Sequence, residues 1–203
     1  MVEKCIKKQL HGEAYLVRFA DDFLIMFQYE RDAQRVYEAI IRRMELFGLE
    51  LSKEKTRILP FGRNCGTRET FDFLGFTHFN SKTRKGYYSV GHKISRKKKK
   101  QFKSNLKKWV KENRDKQFDE FMKKLNKKLT GSFNYYSLSG MIREVRSLWI
   151  HSLYVTFKWM NRRSQRRSFK LERFYEIWHE RIIHPYIHVD IWSGDKVIYN
   201  KKV

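Results

Sequence analysis

Two short runs of aromatic and aliphatic residues, Tyr15 to Phe19 and Phe23 to Phe27, flank Ala20-Asp21-Asp22. The pattern predicts a strand, a tight turn and a second strand, with both carboxylates at the tip. Farther on, Ala33, Val36, Tyr37, Ile40, Ile41, Met44 and Phe47 recur at helical spacing, while Arg31, Arg35, Glu38, Arg42, Arg43 and Glu45 fill the other face. This is an amphipathic helix that Gly48 should end. Leu49 to Ser52 and Thr56 to Phe61 look extended, Phe71 to Phe79 reads as another strand, and Lys82 to Gly86 suits a hairpin turn before Tyr87 to Val90. The first half is thus expected to be an α+β layer with a mostly antiparallel sheet.

The period then changes. From Lys97 to Asn113 a narrow apolar stripe of Phe102, Leu106, Trp109 and Val110 runs through a basic segment, and Phe118, Phe121, Met122, Leu125 and Leu129 form the stripe of a second helix that Gly131 should stop. A third helix, Ser139 to Met160, would bury Ile142, Val145, Trp149, Ser152, Leu153, Thr156 and Phe157. A fourth, from Leu171 to Ile183, ends before Pro185. The second half is therefore expected to be a small helical bundle, joined to the first near Val90 to Ile94, giving domains 1–92 and 93–203.

Charge separates the halves further. The 203 residues carry 45 Lys and Arg against 22 Asp and Glu, a formal net charge of +23. Residues 1–90 hold 16 basic and 12 acidic side chains, and residues 91–203 hold 29 and 10. A net +19 in the helical half points to a polyanionic partner. No apolar run approaches the roughly 20 residues that span a bilayer, so no membrane role and a cytoplasmic location are expected. Cys5 and Cys65 form no C-x-x-C pair, which fits reduced thiols.

Adjacent carboxylates in an apolar run disfavour each other's ionisation, so Asp21 and Asp22 need either solvent at an exposed turn or a cation. The block Phe19 to Phe23, F-A-D-D-F, resembles the catalytic motif of reverse transcriptases. Gly48 to Thr56 (G-L-E-L-S-K-E-K-T) and Phe71 to Phe76 (F-D-F-L-G-F) are similar, in order and spacing, to the two blocks that follow it. Gly131 to Tyr136 (G-S-F-N-Y-Y) and Trp159 to Ser168 (W-M-N-R-R-S-Q-R-R-S) resemble the maturase-specific region, or thumb, of group II intron reverse transcriptases. The resemblance covers nearly the whole chain. It implies the C-terminal part of a polymerase palm, with its antiparallel hairpin sheet and packed helix, followed by an α-helical thumb or domain X.

Under that resemblance Asp21 and Asp22 hold Mg²⁺ in a two-metal site, since hard oxygen ligands on a rigid turn suit the ion. Lys55 stands near the triphosphate of the incoming dNTP, unless it is a solvated surface lysine. Phe73, Leu74, Gly75 and Phe76 correspond to the primer grip, or to an ordinary buried strand, and both can hold. Arg96, Lys97, Lys98, Lys99, Lys100, Lys103 and Lys107 would track the phosphates of an RNA template and its RNA/DNA duplex. Tyr135, Tyr136, Arg162, Arg163, Arg166 and Arg167 would contact group II intron RNA, although the tyrosines equally suit a bundle core.

Family members place fingers and another metal-binding aspartate ahead of the A-D-D block, where this sequence has 18 residues before Phe19. The expectation is a C-terminal portion whose Mg²⁺ site is completed by a carboxylate from a separate N-terminal half. The function expected is RNA-directed DNA polymerase of group II intron type. The alternative is a non-catalytic maturase fragment that binds intron RNA to assist splicing.

Overall fold

The computed structural model describes residues 10–52, 54–163 and 168–187. The order is β1 (Ala14–Phe19), β2 (Asp22–Phe27), α1 (Glu30–Leu46), β3 (Thr70–Phe73), β4 (Phe76–Lys82), β5 (Tyr88–Ile94), α2 (Arg96–Asn113), α3 (Phe118–Tyr136), α4 (Ile142–Met160) and α5 (Leu171–Arg181). The chain is α+β, with two small antiparallel sheets ordered β1-β2 and β3-β4-β5. It divides into two compact units: Met1–Leu74 with His78–Gly91, and Gly75–Thr77 with His92–Val203.

In the first unit β1 and β2 pair from Ala14↔Phe27 to Phe19↔Asp22, leaving a two-residue turn. Alternation gives the ribbon two unlike faces. Leu16, Phe23, Ile25 and Phe27 are half-buried, whereas Tyr15, Val17, Phe19 and Met26 are exposed. Helix α1, which packs on β2, ends as the sequence predicts. Gly48 takes φ +66, its N–H donates to the Glu45 carbonyl, and the Leu49 N–H reaches back to Met44. These two bonds satisfy carbonyls that a helix end otherwise leaves open, and the left-handed residue that closes them favours glycine.

Three expectations need correction. Phe71 to Phe79 is not one strand: it breaks at Leu74-Gly75 into β3 and β4, with both turn residues at positive φ (+51 and +82). That pattern is the type I′ hairpin turn, whose twist matches the strands it joins. Residues 56–61 form no strand. Gly131 does not stop α3, which continues to Tyr136.

Apolar spacing explains the third result. Phe121, Leu125, Leu129 and Phe133 recur every fourth residue and are fully buried, so the stripe continues past the glycine, and one helical glycine costs only about 1 kcal/mol. They meet Leu106 and Val110 of α2, Val145, Leu148, Trp149 and Leu153 of α4, and Phe174 and Trp178 of α5 in one core. The hydroxyls of Ser152 and Thr156 inside it are satisfied by bonds to the Leu148 and Ser152 carbonyls at 2.7 and 2.8 Å. A Cβ on Gly131 would meet nothing within 4 Å. Gly131→Ala is therefore expected to stabilise the chain by about 1 kcal/mol, read as a higher urea midpoint at unchanged slope.

Candidate functional site

The turn between β1 and β2 consists of Ala20 and Asp21, and Asp22 is the first residue of β2. Ala20 holds φ +51, as the first position of a type II′ turn requires. A non-glycine residue at positive φ is uncommon, so the turn holds a strained position. The Arg18 guanidinium braces the turn by donating from Nε to the Ala20 carbonyl at 2.9 Å. Asp21 and Asp22 are both exposed, so the tip presents two carboxylates to solvent from a short, braced loop. Their donor chemistry suits a hard divalent cation. Among the described residues no group of three or more His, Cys, Asp or Glu is placed to hold a metal ion.

Sequence reasoning missed a third carboxylate with structural work to do. Asp32, in the first turn of α1, is 1% exposed. It accepts hydrogen bonds from the His11 N–H (2.9 Å) and the Gly12 N–H (3.1 Å), and its Oδ1 lies 3.1 Å from His11 Nδ1. Burial alone would raise its pKa. The His11 ring and the two backbone donors outweigh burial and hold the carboxyl below its ordinary value. The contact ties the lead-in of β1 to the start of α1, and its only sequence signal is an acidic residue in a first helical turn.

A carboxyl with a lowered folded pKa stabilises above its unfolded pKa, and that stabilisation is lost as pH falls through the folded value. Asp32→Asn is expected to lower the thermal midpoint at neutral pH. The gap between variant and wild type should close below about pH 4. Melts over a pH series check both statements.

Lys55 is exposed in a turn where its N–H donates to the Ser52 carbonyl at 3.1 Å. Phe73 closes β3 half-buried, Leu74 and Gly75 form the turn, and Phe76 opens β4. Gly75 and Phe76 belong to the second unit, and so do Tyr135 and Tyr136, the last residues of α3. Phe76 stacks on Tyr135 at 5.7 Å and meets Tyr136 edge-on at 5.6 Å.

Arg96 to Lys100 open α2, capped by Ser95, and its first turn contains no acidic residue. Positive charge there opposes the helix dipole. Lys99 pairs with Glu144, while Arg96, Lys97, Lys98, Lys100, Lys103 and Lys107 are exposed. At the far end of the bundle Lys111, Arg114 and Arg162 lie 5.8, 5.5 and 5.5 Å from the centre of the Trp159 ring. Arg163 Nη1 donates to the Arg114 carbonyl at 3.4 Å. Asn161 exchanges two hydrogen bonds with Phe169, at 3.1 and 2.8 Å, which joins the ends of the segment carrying Arg166 and Arg167. Those two arginines lie outside the described residues, as does Cys5, and Cys65 is a free thiol. Lys111 and Arg114 were not singled out in the sequence, because their approach to Trp159 depends on the helices meeting. No helix of the described residues is long and apolar enough to cross a membrane.

Residues 1–78 match the family model for reverse transcriptase (RNA-dependent DNA polymerase). Residues 99–176 match that for the group II intron maturase-specific domain. No curated protein matches the chain. The first match contains the Asp21-Asp22 hairpin and the second contains most of the helical bundle, so the chain belongs to the group II intron-encoded reverse transcriptases and maturases.

Proposed function

We propose that the chain supplies the carboxylate-bearing hairpin, primer grip and thumb of an RNA-directed DNA polymerase, and that its helical unit also holds intron RNA. The observation that carries this reading is the braced turn that projects Asp21 and Asp22 into solvent. The turn sets two adjacent carboxylates at the tip of an apolar hairpin, a donor pair that suits a hard divalent cation. A Mg²⁺ ion held by them, with a further carboxylate from a complementing N-terminal segment, would lower the pKa of a primer 3′-hydroxyl and stabilise a pyrophosphate leaving group.

This chain's own groups do the remaining work. Asp21 and Asp22 neutralise cationic charge at the tip, and Arg18 keeps the turn from relaxing. Lys55 offers an ammonium for triphosphate oxygens. The Leu74-Gly75 turn lets a strand approach backbone, and the exposed lysines of α2 take up template and duplex phosphates. Deoxynucleotide incorporation directed by an RNA template, assayed with the chain alone and with the N-terminal part of a related reverse transcriptase, tests the reading. Templated DNA synthesis is expected only in the complemented reaction, and its absence there would remove the polymerase assignment.

A second reading, in which the chain holds intron RNA without polymerising, rests on the helical half with its net +19 and the Trp159 cation cluster. It becomes the better one if RNA binding survives and complemented synthesis fails.

A further inference from the structure

We propose that His179 and His184 form a proton-operated clasp: while both rings are neutral it fastens the chain after α5 against Trp149, and in mild acid it releases that chain. The inference is independent of the polymerase reading.

Three helices meet at the clasp. His179 lies in the last turn of α5 and is half-buried, and His184 follows the helix and is exposed. His179 Nδ1 stands 3.0 Å from His184 Nε2. Both rings pack on Trp149 of α4, at 5.0 and 5.2 Å between ring centres. The intervening chain is tied twice more. The Trp149 indole N–H donates to the Ile183 carbonyl at 3.0 Å, and the Ile183 N–H donates to Asn126 Oδ1 of α3 at 2.8 Å. Neither of these bonds contains a group that titrates near neutrality, whereas the histidine pair does.

A hydrogen bond between two neutral imidazoles needs one N–H and one lone pair. His179 Nε2 is buried and meets no partner, and a buried N–H without an acceptor is the rarer and costlier arrangement. The proton of His179 therefore sits on Nδ1 and is donated to His184 Nε2, while His184 keeps its own proton on Nδ1. A further proton has two places to go. On His184 Nε2 it takes the lone pair that the bond uses and sets two N–H groups against each other. On His179 Nε2 it puts a charged donor where no acceptor stands. Burial, and after it the His184 ring, hold His179 below the ordinary histidine value.

The carboxylates of the packed elements are engaged elsewhere. On α3 Asp119 pairs with Arg181 and Glu120 with Lys124, on α4 Glu144 pairs with Lys99, and on α5 Glu176 pairs with Arg173. Glu180 also acts on Arg173, and Glu172 stands in the first turn of α5, at the opposite end from His179. Tyr175 packs its ring on His179 at 4.2 Å, and His151 of α4 feels Lys103 of α2. The remaining charged side chains of α3 and α4, Lys123, Lys127, Lys128, Arg143, Arg146 and Lys158, are cations and cannot favour a protonated pair. A fold that favours the neutral ring gains stability from it above the unfolded pKa of about 6.5, and loses that gain as pH falls through the folded value.

The test uses the full chain and amide hydrogen exchange read by mass spectrometry at about pH 7.5 and about pH 5.5, corrected for the intrinsic pH dependence of exchange. In wild type the peptide spanning residues 182–187 is expected to lose protection roughly tenfold in acid, about one decade per proton and pH unit, while peptides from the α3 and α4 core keep theirs. His184→Gln, whose side-chain carbonyl accepts from His179 Nδ1 but takes up no proton, should stay protected at both values. His184→Ala should be unprotected at both. In carbon-13 histidine spectra His179 should titrate below the ordinary histidine value. An acid response in His184→Gln equal to that of wild type, no response in wild type, or equal loss of protection across the α3 and α4 core would overturn the clasp.

Discussion

Asp21→Asn is expected to cut templated DNA synthesis by the complemented chain at least a thousandfold, roughly 4 kcal/mol of transition-state stabilisation. The amide preserves the shape of the turn, leaves its backbone bonds intact and removes only the charge that a divalent ion requires. Because Asp21 is exposed, the substitution opens no cavity, and circular dichroism and thermal midpoint should match wild type. Asp22→Asn should act in the same direction. A single-turnover assay on an RNA template separates chemistry from binding, and the hybrid should bind both variants as it binds wild type. Wild-type synthesis by Asp21→Asn would take that carboxylate out of the site.

Affinity for structured RNA is expected to fall by about 10³ or more between 50 and 200 mM salt, the response of a protein that meets six or more phosphates. Residues 91–203 carry 29 basic against 10 acidic side chains, and the exposed lysines of α2 supply enough cations for that number of contacts. Reversing Lys97 to Lys100 should weaken binding to every RNA alike, since phosphate contacts position a complex without reading sequence. Arg162 and Arg163 sit in the cluster that includes Trp159, Lys111 and Arg114, where several cations are held in one geometry. Replacing both should cost more on the cognate intron than on unrelated duplex. Anisotropy titrations across a salt series measure the slope, and a flat response would dismiss the polyanion interface.

Periodicity made much of this legible. The alternation around Ala20-Asp21-Asp22 marked the hairpin, the 3.6-residue spacing from Ala33 marked α1, and the stripes of the second half marked four helices. What escaped depended on contacts that no local pattern encodes. Leu74 takes φ +51 in a turn where a sequence reader expects Asn or Gly, so an F-D-F-L-G-F run looks like one continuous strand. Gly131 looks like a stop signal until Phe133 proves to be core. The Asp32 to His11 contact spans 21 residues, and the approach of Lys98 and Tyr136 to Gly75 draws on three separate stretches of chain. Each of these is a tertiary override of a sound local rule.

The bare positive start of α2 carries a thermodynamic consequence. Five consecutive cations occupy a helix beginning where the aligned backbone dipoles already present positive charge, with Ser95 capping the Lys98 N–H. A polyanion that binds the folded helix more tightly than the unfolded segment shifts, by linkage, the folding equilibrium toward the helix. The stability of this unit is then a property of protein and counter-ion together. Two preparations of the same chain, one stripped of nucleic acid and one not, would differ in melting temperature with no change in sequence or fold.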